Sequence, residues 1–377
     1  MGIIQASNLQ FESTGNNAIS YNSNVITLTV GGANVGSINS TSFSINNVPL
    51  TLNAGNVNKF RNGTMDVWQR GNTTVTTTGQ YTADGWFVIP TGASVTANTA
   101  AGRLYTVNSL QVTGATSVTD VKVIQPIESY ISAPMSGQVV TFQAQIFNNT
   151  LATITPTISV KHPSVQDTYT ANTVDIVATN LQSCANGVWT QVSYSWTASA
   201  NSNLGMEIIL DFGNNFSATT KFIQITECDL RVTQGLSVGL NPTPPPPELR
   251  PIFSELPFNQ RYYYRRTRIS ATVNEIIGQL QVDTTTQSFG KIFDFPVQMR
   301  TTPIANVSSA ASFSSYNAAA SALEVVSSFS VLTASPYAMF CTGGINTSST
   351  IGAAGGCSAL SINAQGAWLD ATAEIAP

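Results

Sequence analysis

Charge is what this sequence has least of: Asp, Glu, Lys and Arg make up 9% of its 377 residues, against roughly a quarter of an average soluble domain. With a net charge of −4, there is no basic field to collect nucleic acid. Histidine occurs once, at His162, and the cysteines at 184, 228, 341 and 357 have no CxxC spacing, which excludes a His/Cys zinc centre. Cys184–Cys228 and Cys341–Cys357 remain open as disulfides or as free thiols. No run approaches the roughly 20 apolar residues of a membrane-spanning helix. The first eight residues have neither a basic nor an apolar region, so no secretory signal is expected. No repeat of 20–50 residues is visible.

In place of charge stand Thr, Ser, Asn, Gln and Ala, with 42% hydrophobic residues, too many for a disordered chain. The hydrophobic period is two. Val140, Phe142, Ala144 and Ile146 alternate with polar residues, as do Val192, Tyr194 and Trp196; each pattern predicts a half-buried strand. Many short strands with Gly/Asn turns and little helical periodicity predict an all-β protein.

Four parts follow. Residues 1–58 carry short, thinly apolar strands at Val25–Val30 and around Phe43 and Ile45, and predict a shaft or attachment segment stabilised by pairing between copies. Residues 59–240 predict a jelly-roll β-sandwich. Residues 241–266 open on Asn241-Pro242-Thr243-Pro244-Pro245-Pro246-Pro247, a polyproline II spacer, with a short helix or turn over 255–266. Residues 267–377 predict a C-terminal β-sandwich knob.

Three stretches carry a resemblance. Asn58-Lys59-Phe60-Arg61-Asn62-Gly63-Thr64-Met65-Asp66-Val67-Trp68-Gln69-Arg70-Gly71 is followed by Tyr81-Thr82-Ala83-Asp84-Gly85-Trp86. Gly137-Gln138-Val139-Val140-Thr141-Phe142 comes next, then Pro246-Pro247-Glu248-Leu249-Arg250-Pro251 with Glu255-Leu256 and Gln260-Arg261-Tyr262-Tyr263. In order and spacing these resemble a module of bacteriophage tail-fibre and other virion appendage proteins over about half the chain. Asn259, where that family often has Cys, and the run of four prolines depart from the pattern. Phe293 to Pro303 and Trp368 to Glu374 resemble the family's tail. The resemblance implies a jelly roll similar to carbohydrate-binding modules and a terminal trimeric knob. It also implies a virion protein assembled in the host bacterial cytoplasm. Its partners would be itself, other tail or head proteins through the N-terminal segment, and a bacterial surface glycan or protein. A capsid decoration protein and a polysaccharide depolymerase are the alternative functions.

The ligand-binding candidates are Trp68, Tyr81, Trp86 and Asp84; the interface candidates are Arg261, Tyr262, Tyr263, Tyr264 and Arg265, with the tyrosines packing between domains or subunits. Asp66 and Asp84 are the carboxylates a structural calcium would use; no other cofactor is expected. Catalysis is not expected. Glu227 and Asp229, two apart on one strand, and Glu207 and Asp211 are the acids in suggestive positions, and His162 has no nucleophile motif beside it.

Overall fold

Alternation of apolar and polar residues translates into antiparallel sheets throughout this computed structural model, two of them packed as a sandwich. It describes short strands between residues 8 and 50, all of 58–268, and residues 272, 274–284, 286–317, 322–329, 332–347 and 356–377. The chain is all-β, and every named strand pairing is antiparallel.

The N-terminal strands Asn8–Gln10, Ala18–Asn22, Val25–Val30, Ala33–Ile38, Phe43–Ile45 and Val48–Leu50 form one meander sheet in chain order. Ile19, Ile26 and Val30 are exposed on it.

The sandwich follows. Its seven-stranded sheet runs Gly239–Leu240, Trp189–Thr197, Val139–Asn149, Phe222–Val232, Asn108–Thr113, Val95–Ala101, Thr73–Val75; its six-stranded sheet runs Thr168–Asn180, Thr157–Val165, Met206–Asp211, Asp120–Ile127, Phe87–Thr91, Gln80–Tyr81. The inward phase of each strand fills one core: Val140, Phe142, Ala144 and Ile146 from one sheet meet Met206, Ile208 and Leu210 from the other. Trp196 belongs to this core as well.

The proline segment is not a free spacer. It lies across the outer face of the seven-stranded sheet as a strap. Proline has no N–H to add to a sheet edge, but its carbonyls still accept. Gln143 Nε2 donates to Pro245 O (2.7 Å), Arg231 donates to Pro246 O, and Ser193 Oγ donates to Asn241 O. The strap leads into a helix at Ile252–Gln260, earlier than the sequence suggests, and then a strand at Tyr263–Thr267 that pairs with Trp368–Thr372.

In the C-terminal part, Gln287–Asp294 pairs with Glu275–Thr284 on one edge and Ala338–Thr347 on the other. The sheet thereby closes around its own core of Leu280, Phe313, Val326, Met339 and Leu360. None of the four cysteines forms a disulfide; three are buried and Cys357 is exposed. Burial pushes the Cys184 thiol up to about 11, away from reactivity.

Candidate functional site

The recognisable motifs fold into a clasp, not a ligand surface. Asn62, at φ 52°, ties the opening together: Nδ2 donates to Val67 O and Asp84 O, and Oδ1 accepts from Val67 N. Gly63 must be glycine, because a Cβ there would lie 2.2 Å from Cys228 O. The exit motif closes onto the opening. Glu248 Oε2 accepts from Asn58 N (2.7 Å), Glu255 Oε1 accepts from Asn62 N, and Arg250 donates to Asn58 O and Phe60 O while pairing with Glu255 (2.9 Å).

These positions correct part of the expected ligand set. Trp86 is 0% exposed, packed on Phe60 at 5.1 Å, with Nε1 donating to Asn62 O; no ligand can reach it. Asp84 is 1% exposed, accepts from Gln69 and pairs with Arg70 at 3.6 Å. Trp68 donates Nε1 to Met65 O, and Tyr81 OH donates to Ile375 O. Asp66 accepts from Asn108, so both calcium candidates already have partners inside the chain. Among the described residues no three of His, Cys, Asp and Glu converge to hold a metal.

The Tyr/Arg cluster lies between the sandwich and the C-terminal part of the same chain. Tyr262 OH donates to Glu128 (2.7 Å), which also pairs with Arg261 (3.1 Å). Tyr263 OH donates to Asp370 (2.6 Å), which also pairs with Arg265 (3.1 Å). Tyr264 packs into the C-terminal core against Phe293 and Phe295. Behind them Glu374 pairs with Arg61 (3.1 Å) and Arg70 (3.4 Å), and those guanidinium groups stack on Tyr262 and Tyr263. This is a desolvated charge network joining two domains.

Burial raises two carboxyls to about 6, Asp84 in this network and Asp229 under the strap, despite Arg70 and Arg231 beside them. Each folded value lies above the ordinary 3.8. Their contribution to stability is therefore full below about pH 4 and is lost as pH rises through 6. Thermal unfolding is expected at higher temperature at pH 5 than at pH 7, each group contributing on the order of 1–3 kcal/mol. The double variant Asp84→Asn/Asp229→Asn should flatten that slope; an unchanged slope would contradict the assignment.

The other acids divide. A β-bulge at Glu227 (φ 53°) breaks the expected two-residue alternation: Glu227 accepts from Tyr105 N, whereas Asp229 lies under the strap and accepts from Gln143. Glu207 is different. It lies on the outward phase of Met206–Asp211, with Ile209 and Asp211, in a groove of about 340 Å³ on the six-stranded sheet. Ile89, Ile124 and Ile209 supply apolar surface there; Lys122, Lys161 and Asn172 supply polar groups. Ile124 lies opposite Ile209 in register, and Lys161 lies opposite Glu207.

One acceptor in this groove lacks a donor, and another is met only by a long ion pair. Glu207 is 2% exposed, its side chain accepts no hydrogen bond among the described residues, and Lys161 stands 3.8 Å away. Burial raises its carboxyl above the ordinary value, Lys161 opposing. Asn172 Oδ1 is buried and unpartnered. An unmade hydrogen bond costs about 1–3 kcal/mol, so a group that donates to Asn172 would be favoured here. Sequence reasoning noted Glu207 as an acid but missed Asn172, which only the wrapping of Thr168–Asn180 against Thr157–Val165 brings near.

No protein-family profile matches the chain, and no curated protein matches it. Among solved structures it is similar to the enzymatically active domain of bacteriophage CBA120 tailspike protein 4 (14% identity, TM-score 0.34, 47% of this chain and 21% of that one). It is also similar to the CBM22-1 xylan-binding domain of Paenibacillus barcinonensis Xyn10C (12%, 0.31, 48% and 98%) and the C-terminal family 22 carbohydrate-binding module of Clostridium thermocellum Xyn10B (11%, 0.30, 44% and 96%). The chain thus spans about a fifth of the tailspike structure it matches. At these TM-scores none of the three bears on what this chain binds.

Proposed function

We propose that this chain is a non-enzymatic subunit of a homo-oligomeric bacteriophage appendage, a tail fibre, that recognises a bacterial surface glycan through the groove around Glu207. The observation that carries the glycan reading is the unpartnered Asn172 Oδ1 and the Glu207 carboxylate, met only by Lys161 at 3.8 Å, beside apolar Ile124 and Ile209. A sugar supplies what they lack: hydroxyl donors on its rim and apolar C–H faces between. Lys122 and Lys161 would donate to ring and hydroxyl oxygens. The virion assignment is supported by the motif resemblance, and the oligomer by the single-layered N-terminal sheet with its exposed Ile19, Ile26 and Val30, because one layer buries no core.

A binding role, without hydrolysis, is supported by spacing. Glu207 and Asp211 are four residues apart on one strand, so about 13 Å separates them. Glycosidase carboxyls stand roughly 5–10 Å apart. Asp211 is moreover occupied by Lys122 at 3.2 Å.

The test is Glu207→Gln, measured on a panel of immobilised bacterial O-antigen and capsular polysaccharides. Loss of charge-assisted hydrogen bonds should weaken binding roughly ten- to a hundredfold, while the melting temperature stays level or rises because a desolvated charge is gone. Unaltered binding by this variant would reject the groove as the site.

A further inference from the structure

The opposite face of the sandwich carries a second, unassigned feature. On Val139–Asn149 the outward phase reads Thr141, Gln143, Gln145, then Phe147, an aromatic where the pattern is polar. Phe147 faces Trp189 in register, ring centroids 5.6 Å apart, and Phe222 stacks on its other side at 6.1 Å and 26°. Three adjacent strands thus set three half-buried rings in a row.

The row's polar neighbours are neutral amides. Gln224, in register with Phe147, donates to Gln111 Oε1 (2.9 Å), Gln191 donates to Gln143 Oε1 (3.1 Å), and Asn149 donates to Thr220 O (3.1 Å). The charges on this face are engaged: Arg103 with Gln145, and Arg231 with Asp229 (3.0 Å) and the strap carbonyls. The strap crosses at Gln143, leaving the face beyond it, about 13 Å along the strand to Phe147, to the rings and amides.

We propose that Trp189, Phe147 and Phe222 form a second carbohydrate subsite, taking a neutral oligosaccharide laid across the strands. It goes beyond the groove and does not depend on it. Pyranose rings present apolar C–H faces that stack on aromatic rings, and strands about 4.8 Å apart set one ring per strand at close to the length of one sugar unit. Amide side chains both donate and accept, which suits vicinal hydroxyls. Nucleic acid also stacks on aromatics, but its phosphates need cations in file, and here Arg231 is taken up by Asp229 and Arg103 is held by Gln145.

The intact chain is titrated with neutral hexasaccharides of gluco, galacto and manno configuration, by calorimetry and tryptophan fluorescence. At least one should bind, and Trp189→Ala should weaken it about tenfold, the contribution of one stacked ring. Phe147→Leu, which keeps apolar volume and guards against misfolding, should also weaken it, whereas Glu207→Gln should leave this binding unchanged. If the groove reading fails instead, only the Glu207→Gln result on the O-antigen and capsular panel is affected. The proposal is overturned if none of the hexasaccharides binds, or if binding survives both ring variants. It is overturned too if those variants change native mass without changing binding, which would make the row a contact between copies.

Discussion

Glu374→Ala is expected to destabilise the chain by about 3–5 kcal/mol, the cost of breaking a buried ion pair from one side. Its carboxylate lies between Arg61 and Arg70, both largely buried. Arg70 would keep Asp84, but Arg61 would keep no carboxylate, only the face of the Tyr262 ring and the neighbouring Tyr81. Because Glu374 also sits on the C-terminal part while both arginines belong to the opening motif, the network holds two cores together. Urea unfolding should therefore shift to lower midpoint and split from one transition toward two, with Glu374→Gln intermediate. An unchanged single transition would mean that the domains are held by other contacts.

Trp86→Ala should cost a comparable amount, about 3–5 kcal/mol, out of a total stability of roughly 5–15 kcal/mol. The indole is fully enclosed, packs on Phe60, and donates to the Asn62 carbonyl, which alanine would leave with the Met65 N–H alone. Trp86→Phe should lose less, keeping most of the volume but not the hydrogen bond. The same substitutions should leave glycan affinity per folded molecule unchanged. Melting curves and titrations on both variants separate the two effects; a loss of affinity with full stability would return Trp86 to the ligand surface.

Much of the fold is legible in the sequence because alternation is a local signal. Val140 to Ile146 and Val192 to Trp196 point inward as their spacing says, and Val25–Val30 is a strand with the predicted bounds. The strap is not legible, since four prolines look alike whether they span solvent or a sheet; the deciding partners, Gln143, Ser193 and Arg231, lie 14 to 102 residues away. Trp86 and Asp84 misled for a related reason. Aromatic and acidic residues in a recognisable motif are shared by clasps and binding sites, and burial distinguishes them. Phe147 offered a readable sign, an aromatic on the polar phase of a strand. Nothing in the sequence pairs Glu207 with Asn172, which depends on how two strands with several bulges align.

Both proposed sugar sites are shallow and would hold single glycans weakly, so recognition rests on several copies acting together. The most direct test is the native mass of the intact chain by light scattering at micromolar concentration. The account predicts a stable assembly of about three times 39.9 kDa. A folded monomer across that concentration range would contradict it, leaving a single binding module or a decoration protein in place of a fibre subunit.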